Sequence, residues 1–235
     1  MQTRIATAPY RIHRYPTELI ESWRLGNGRT ATLRPVLPQD AVSEQAFVAT
    51  LSAASRRNRF HGAVNGLSTM RAEAMTNIDY QRRMGFVVTV IEGGTELVIA
   101  DAHYVIDADG SSAEFAVVVA DVWHGLGLGR RLISALSKCA HRAGARWLCG
   151  EVLVGNRDML VLMQRCGFSA TPHPADDGLD HGLQTSLHRL LGLGDLENLE
   201  CSFPMRSLIG ERHGTDYERQ KQKRSDVHAA PLDDP

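Results

Sequence analysis

The sequence predicts an α/β domain with a mixed, mostly antiparallel central sheet flanked by helices. Three β-branched runs follow one another and are separated by Gly93-Gly94 and by the turn sequence DADGSS: GFVVTVIEG, TELVIADAHYVID and SSAEFAVVVA. Such runs are typical of consecutive antiparallel strands. A glycine-rich turn, WHGLGLG, then opens an amphipathic segment, which indicates a helix packed against these strands.

The N-terminal part of the domain predicts a hairpin followed by helices. Residues 18–36 form the hairpin in this interpretation, because Asn27-Gly28 supplies a turn with positive φ between strand-like segments. Pro38 ends it. Apolar residues then recur near helical spacing, with Asp40 at the helix start: Ala41, Phe47, Val48 and Leu51. We expect a pair of helices up to Tyr80.

The C-terminal part predicts helix, strand and helix. RRLISALSKCAHRAG puts Leu132, Leu136 and Ala140 on one helical face and closes at Gly144. RWLCGEVLV is the strand, and NRDMLVLMQRCGF is the second helix, with Asn156 as N-cap and Gly167 at its end. LQTSLHRLL fits either a final strand or a short helix.

Length and composition predict one folded domain with two tails. The chain has 235 residues, of which 43% are hydrophobic, so it can bury a sizeable core. We expect an N-terminal arm at 1–14, the domain at 15–193 and a tail at 194–235. The tail is charged and poor in apolar residues, so it is expected to be disordered.

Charge and cysteine content narrow the partners and the compartment. Lys and Arg total 26 and Asp and Glu total 27, so no overall field attracts nucleic acid or an anionic membrane. The longest apolar runs fall far short of the roughly 20 residues of a membrane helix. The four cysteines form no CxxC pair, and the N-terminus does not resemble a signal peptide. These observations predict free thiols and a cytoplasmic location.

The segment WHGLGLGRRL predicts an anion site. A strand that runs through a glycine turn into a helix presents unpaired backbone N–H groups at the positive end of that helix. Glycines at 125, 127 and 129 let a diphosphate approach them, and Arg130 and Arg131 add charge. A plain helix start is the alternative. Arg130 breaks the GxGxxG dinucleotide fingerprint, and no P-loop string occurs.

The chain resembles the GNAT superfamily of acyl-CoA-dependent N-acetyltransferases. The motif of that family is Gln or Arg, two residues, Gly, one residue, then Gly or Ala, and His124, Gly127 and Gly129 take these positions. Five segments resemble, in order, the acetyltransferase domain of Pat-type protein lysine acetyltransferases: LRPVLPQDA, LSAASRRNRF, NIDYQRRMGFV, AEFAVVVADVWHGLGLG and GEVLVGNRDMLVLMQRCGF. The resemblance covers roughly Tyr15 to Leu191 and implies the GNAT fold.

The resemblance also implies the ligand, acetyl-CoA, whereas no metal is expected because the histidines lack metal-ligand spacing. The pantetheine arm is then expected to pair with strand residues Val117, Val118 and Val119. The pyrophosphate is expected on the turn, and the cofactor-binding residues there are His124, Gly125, Leu126, Gly127, Leu128, Gly129 and Arg130, with Asn156 on the second helix. His124 replaces the usual Gln or Arg, and Leu126 replaces a frequent Arg, so some charge is missing.

Acetyl transfer to an amine requires a base, because a lysine with a pKa near 10.4 is protonated at neutral pH. Glu114 is the predicted catalytic base, since Pat-type domains carry their catalytic glutamate in this AEF context. An exposed strand carboxylate paired with an arginine is the alternative. Many GNAT enzymes protonate the leaving thiolate with a Tyr that Met163 replaces here, and a thioether cannot donate a proton.

Other groups suggest no further chemistry. The histidines, His103 among them, lack metal-ligand spacing and are interpreted as ordinary surface or core residues. SRRNRF is interpreted as a solvated helix face. The sequence therefore predicts an acetyltransferase for a primary amine, above all a protein lysine. A small-molecule N-acetyltransferase and a non-catalytic acyl-CoA sensor are the alternatives, and a homodimer stays open.

Overall fold

The computed structural model describes residues 13–62, 64–172 and 184–191. The predicted arm and tail lie outside these residues, apart from residues 13 and 14. The strands are β1 (Glu21–Arg24), β2 (Thr30–Pro35), β3 (Arg83–Glu92), β4 (Thr95–Ile106), β5 (Ser112–Val119), β6 (Trp147–Leu153), β7 (Ser169–Pro172) and β8 (Gln184–Leu190). The helices are α1 (Ala41–Thr50), α2 (Ala53–Phe60), α3 (Thr69–Thr76), α4 (Leu128–Arg142) and α5 (Arg157–Arg165).

The eight strands form one sheet in the order β1-β2-β3-β4-β5-β6-β8-β7. Among the described strands, only β5 and β6 pair in parallel, and all other neighbours are antiparallel. The prediction of a mixed, mostly antiparallel sheet is thereby confirmed, as is the β1–β2 hairpin. LQTSLHRLL supplies a strand, β8, rather than a short helix. The sequence interpretation missed β7, which has only four residues.

In the described part of the chain three α-helices, rather than the predicted pair, precede β3. The chain extends at Leu51, and the Ser52 hydroxyl then accepts a hydrogen bond from the Ser55 amide and caps α2. Ser68 caps α3 in the same way, by accepting from the amide of Arg71. Each serine satisfies an amide of the first helical turn, so the apolar pattern is divided by local capping.

Asp40 stands at the start of α1, as predicted, but it does not cap that helix. Its carboxylate accepts a hydrogen bond from the Leu37 amide at 2.7 Å. It also accepts from both terminal nitrogens of the Arg34 guanidinium, at 2.7 and 2.9 Å. Asp40 therefore fixes the turn between β2 and α1 through a bidentate, charge-assisted pair.

Helices cover both faces of the sheet. Asp101 and His103 of β4 point toward α1 and α2, since Asp101 lies against Arg59 of α2 and close to Glu44 of α1. The intervening residues of β4 face the other way, toward α4, where Tyr104 lies near Cys139. The inner side of α4 is apolar except for Ser137, whose hydroxyl donates to the Ile133 carbonyl, and its buried apolar residues are Leu128, Leu132, Ile133, Leu136 and Ala140.

Two smaller expectations concern cysteines and membranes. Cys139 and Cys166 are free thiols, as expected. Among the described helices, none combines the length and hydrophobicity that crossing a bilayer requires.

The sheet opens between β5 and β6. Their pairing covers only three residue pairs and ends at Glu114 opposite Cys149. Beyond that point β5 continues to Val119 beside β4, while β6 continues to Leu153 beside β8. In the described part of the chain, residues 115–119 therefore have a strand on their β4 side and none on the other side.

Phe115 lies at the start of this opening. Its ring packs so closely on β6 that a Cβ atom at Gly150 would come within 2.8 Å of Phe115 Cε1. The ring also contacts Phe168, with 5.3 Å between the ring centroids. Both phenylalanines are buried. Phe115 thus fills the space next to the point where the two strands separate.

Gly150→Ala should destabilise the protein by about 1–3 kcal/mol, because the added methyl group overpacks the contact with the Phe115 ring. Urea unfolding monitored by circular dichroism measures the change. Gly66→Ala is the control, since a Cβ there meets no atom within 4 Å. Equal stability of the two variants would contradict the close packing of Phe115 on β6.

Candidate functional site

Glu114 stands where β5 leaves β6. It lies opposite Val105 of β4 and Cys149 of β6, and it is half-buried rather than exposed. Directly opposed residues of a sheet project to the same face. Val105 shares its face with His103, two residues earlier, so Glu114 is on the α1–α2 side of the sheet. The predicted base and the unpaired segment 115–119 are therefore adjacent.

The glycine turn has the backbone geometry of an anion site. Gly127 is the N-cap of α4, with φ at +78°, and no side chain bonds to the first amides of that helix in the described structure. The Arg131 amide donates to the Gly127 carbonyl at 3.2 Å. The three preceding amides, those of Leu128, Gly129 and Arg130, come before the first bond of the helix, so they can donate to an anion.

Gly129 is required for a different reason. A Cβ atom on this residue would lie 2.8 Å from Leu162 Cδ2, so the missing side chain lets α5 approach the start of α4. Asn156 caps α5, as predicted, because its Oδ1 accepts a hydrogen bond from the Met159 amide at 3.3 Å. Any contact of Asn156 with a ligand stays a prediction. Met163 of α5 is completely buried in the core.

The side-chain charges around the turn are largely engaged elsewhere. His124 turns back toward β5, and its Nε2 lies 2.9 Å from the Val119 carbonyl oxygen. The Arg131 guanidinium lies over the Trp23 ring, 4.4 Å from its centroid. Arg130 is exposed. The sequence analysis placed both arginines beside a phosphate, and the structure gives Arg131 a cation–π contact with β1 instead.

Asp121, just before the turn, ties it to α2. Its carboxylate accepts hydrogen bonds from the Ser52 amide at 3.0 Å, from the Ser52 hydroxyl at 2.8 Å and from the Ser55 hydroxyl at 2.8 Å. Partial burial raises the pKa of Asp121, but these hydrogen bonds outweigh it and lower the pKa to about 2. The sequence analysis missed this link, although the spacing of Ser52 and Ser55 marks a helix start.

The arginines of SRRNRF do not form the predicted solvated face. Arg57 is exposed, but Arg56 donates to the Leu51 carbonyl. Arg59 is only 6% exposed, and its Nη2 lies 3.5 Å from Asp101 Oδ1. The prediction is wrong for Arg59, because its partner is distant in sequence and could not be inferred from local charge.

Comparison with known proteins agrees with this architecture. No family model matches the chain. Acetyltransferase PA5475 of Pseudomonas aeruginosa is 33% identical over 152 residues, which are 65% of this chain and 82% of that protein. Acetyltransferase Pat of Mycolicibacterium smegmatis is 32% identical over 136 residues, which are 57% of this chain and 40% of that protein.

Solved structures show the same fold. The GNAT domain of S. lividans PAT has a TM-score of 0.65 at 27% identity, covering 76% of this chain and all of that domain. At lower identity are yncA of Salmonella typhimurium with acetyl-CoA (TM-score 0.54, 22%, covering 72% and 98%) and Vibrio cholerae spermidine N-acetyltransferase with CoA and spermine (0.56, 19%, 68% and 95%).

The fold is thus that of the GNAT proteins, and the chain belongs to the GNAT family of acetyltransferases. Within that family its domain is similar to those of the Pat proteins.

Asp121→Ala should loosen the turn, because the Ser52 and Ser55 hydrogen bonds are lost. We expect faster amide exchange at 121–129 and at 52–56, measured by hydrogen–deuterium exchange mass spectrometry. Asp109→Ala is the control, since Asp109 accepts from the Ser111 amide in another turn. Unchanged exchange at 121–129 would contradict the link.

The same link predicts a pH dependence. The pKa of Asp121 is lowered from 3.8 to about 2, so its stabilising contribution is present above pH 3.8 and is lost as the pH falls toward 2. Exchange in the wild-type turn should therefore approach that of Asp121→Ala only in this acid range.

Proposed function

We propose that the chain transfers an acetyl group from acetyl-CoA to a primary amine, above all the side chain of a protein lysine, with Glu114 as general base. The observation that carries the proposal is the opened edge of β5, which begins beside Glu114 and ends close to the unbonded amides of α4. One ligand with an extended amide arm and a diphosphate matches both features.

The binding of acetyl-CoA follows from these two features. The amides from Gly125 to Arg130 accommodate the diphosphate, and Gly127 leaves open space where a side chain would project. The pantetheine arm pairs with the edge at Val117, Val118 and Val119 in the manner of an added strand. Two proteins of the same fold were solved with acetyl-CoA or CoA, which supports this assignment.

Glu114 removes the proton that blocks the reaction. The acceptor arrives as an ammonium ion, and the carboxylate takes one proton from it, directly or through water. The neutral nitrogen then forms a bond to the acetyl carbon while the bond from that carbon to sulfur breaks. The amide product loses its second proton, which can protonate the departing thiolate.

Because residue 163 is Met, this position supplies no acidic side chain to protonate the leaving thiolate. Met163 is fully buried and has no proton to give, so the thiolate is protonated by the displaced amine proton or by solvent. Because Met163 supplies no acid, a non-catalytic acyl-CoA sensor stays one of the outcomes that the tests distinguish. A protein that only binds acyl-CoA needs neither Glu114 nor an acid.

The protein-lysine acceptor is supported by similarity alone. The structural match to the GNAT domain of S. lividans PAT covers that whole domain. Incubation with labelled acetyl-CoA and either a protein extract or a panel of free amines, including spermidine, separates the candidates. Label in protein lysines supports the proposal, whereas turnover confined to the free amines would replace it with a small-molecule N-acetyltransferase.

Glu114→Gln should lower kcat about 100-fold or more and leave the affinity for acetyl-CoA unchanged, because only proton removal is lost. Steady-state kinetics and calorimetry give the two quantities. Glu92→Gln is the matched control, since Glu92 is a strand carboxylate in an exposed pair with Arg29. Undiminished turnover in Glu114→Gln would remove Glu114 from the mechanism.

Gly127→Ala should weaken acetyl-CoA binding about 10-fold, because a side chain is strained at φ +78° and displaces the amides of the turn. Calorimetry measures the dissociation constant. Gly110→Ala is the control, with φ at +80° and equally open surroundings in the β4–β5 turn. Equal affinities of the two variants would argue against binding at the turn.

A further inference from the structure

Four ionisable side chains meet inside the domain, behind the proposed site. They are Glu44 of α1, Arg59 of α2, and Asp101 and His103 of β4, and we refer to them as the ionic cluster. Their exposures are 0% for Glu44, 6% for Arg59, 1% for Asp101 and 2% for His103. Burying ionisable groups this completely is costly unless their charges are balanced.

The contacts within the cluster centre on Asp101. Its Oδ1 lies 3.5 Å from Arg59 Nη2 and 3.3 Å from His103 Nε2. Glu44 lies opposite, and ligating atoms of Glu44, Asp101 and His103 are all within 4.8 Å of one another. Within the described part of the chain, neither carboxylate oxygen of Glu44 has a hydrogen-bond partner.

The charges of the four side chains determine how many protons the ionic cluster holds. Ionised Asp101 neutralises Arg59, so an ionised Glu44 would leave one net negative charge in the core. The cluster becomes neutral by holding one proton, on Glu44 or on His103. Burial and the neighbouring Asp101 raise the pKa of Glu44 well above 4.5, which favours the proton on Glu44. Burial raises the pKa of Asp101, but the adjacent positive charge of Arg59 lowers it and the net shift is downward, so Asp101 is the ionised carboxylate of the cluster.

A divalent metal fits this cluster less well than a proton. Glu44, Asp101 and His103 are of the type that binds such ions. However, Arg59 already supplies a positive charge at Asp101 Oδ1. A divalent ion would bring the total to one uncompensated positive charge in a buried site, since the two carboxylates carry only two negative charges.

The cluster backs the strand that forms the site. Asp101 lies opposite Val118 and His103 opposite Ala116, both in the part of β5 that has no β6 neighbour. The position of that segment therefore depends on β4. The His103 ring packs on Gly85 of β3, where a Cβ atom would come within 2.4 Å of Nδ1.

Helix α2 extends the connection to the glycine turn. Its first turn is bound to Asp121 through Ser52 and Ser55, and its last turn holds Arg59 on Asp101. One short helix thus joins the turn at one end and β4 at the other.

We propose that the ionic cluster is a positioning unit: Glu44 retains a proton, the neutral cluster fixes α1 and α2 on β4, and β4 in turn holds residues 115–119 in place for acyl transfer. The proposal rests on the proposed function for its catalytic readout only. None of the four side chains is assigned contact with a substrate.

Substitution of the two acids in turn tests the charge balance. Glu44→Gln leaves Asp101 to neutralise Arg59, and Asp101→Asn leaves that task to an ionised Glu44. In the double variant, Glu44→Gln with Asp101→Asn, Arg59 has no counter-charge within the cluster. At pH 7 we expect each single variant to change Tm by less than about 4 °C in either direction and the double variant to lose about 10 °C more than the sum. Additive losses would overturn the shared charge balance.

The pH dependence of stability tests the proton on Glu44 without the double variant. Other charged groups face Glu44 as well, namely Asp40 before α1 and Arg34 of β2, and both are kept unchanged. Because the folded-state pKa is raised, wild-type stability from protonated Glu44 is complete below pH 4.5 and is lost as the pH rises. Glu44→Gln should therefore match the wild type at pH 4 and have the higher Tm at pH 8. A constant Tm difference would contradict the retained proton.

Kinetics separate positioning from simple stabilisation. At a temperature where the variant is fully folded, Asp101→Asn should lower kcat about 10-fold with the dissociation constant of acetyl-CoA unchanged. Tyr104→Phe is the matched control, because it removes a hydrogen bond to the Gln81 carbonyl from the opposite face of β4. Wild-type kcat in folded Asp101→Asn would overturn the positioning role.

Two further experimental results, bound metal and absence of acetyl transfer, would have different meanings. One equivalent of bound metal per chain, measured by mass spectrometry of the purified protein and lost in Glu44→Gln, would replace the proton with a metal site. Absence of any acetyl transfer by the wild type would instead refute the proposed function, and the Tm measurements would still decide whether the cluster holds a proton.

Discussion

Separation of β5 from β6 after Glu114 is the constraint on which the site depends. A sheet normally satisfies the peptide groups of an interior strand on both sides, and here, among the described strands, residues 115–119 are paired with β4 alone. The Phe115 ring packs on Gly150 and fills the space next to the point where β5 and β6 separate. The catalytic candidate and the turn that begins α4 lie at the two ends of the free edge, so one extended ligand can reach both.

Elements of the fold that depend on local sequence signals could be predicted, and elements that depend on single side chains or on pairing with another strand could not. β3, β4 and β5 could be predicted because β-branched runs and their turns are local signals. The division of the segment before β3 into α1, α2 and α3 could not, since it depends on single serine caps at Ser52 and Ser68. β7 is too short for a periodic signal and forms only by pairing with β8.

The same distinction between local signals and distant partners applies to the residues of the candidate site. The glycine turn is predictable because anion binding by amides depends on the backbone of consecutive residues, and Glu114 is proposed through the family resemblance of its AEF context. Asp121 and Arg59 were missed because their partners, Ser52 and Asp101, are 69 and 42 residues away. An arginine in a basic run gives no local sign of whether it points to water or into the core.

The cation–π contact of Arg131 with Trp23 has a consequence for recognition at the turn. With Arg131 held by β1, His124 turned toward the Val119 carbonyl and Leu126 uncharged, few mobile cations stand beside the amides of α4. Attraction there comes mainly from fixed peptide dipoles at short range, which counter-ions screen less than exposed charges. Coenzyme affinity should then vary little with ionic strength.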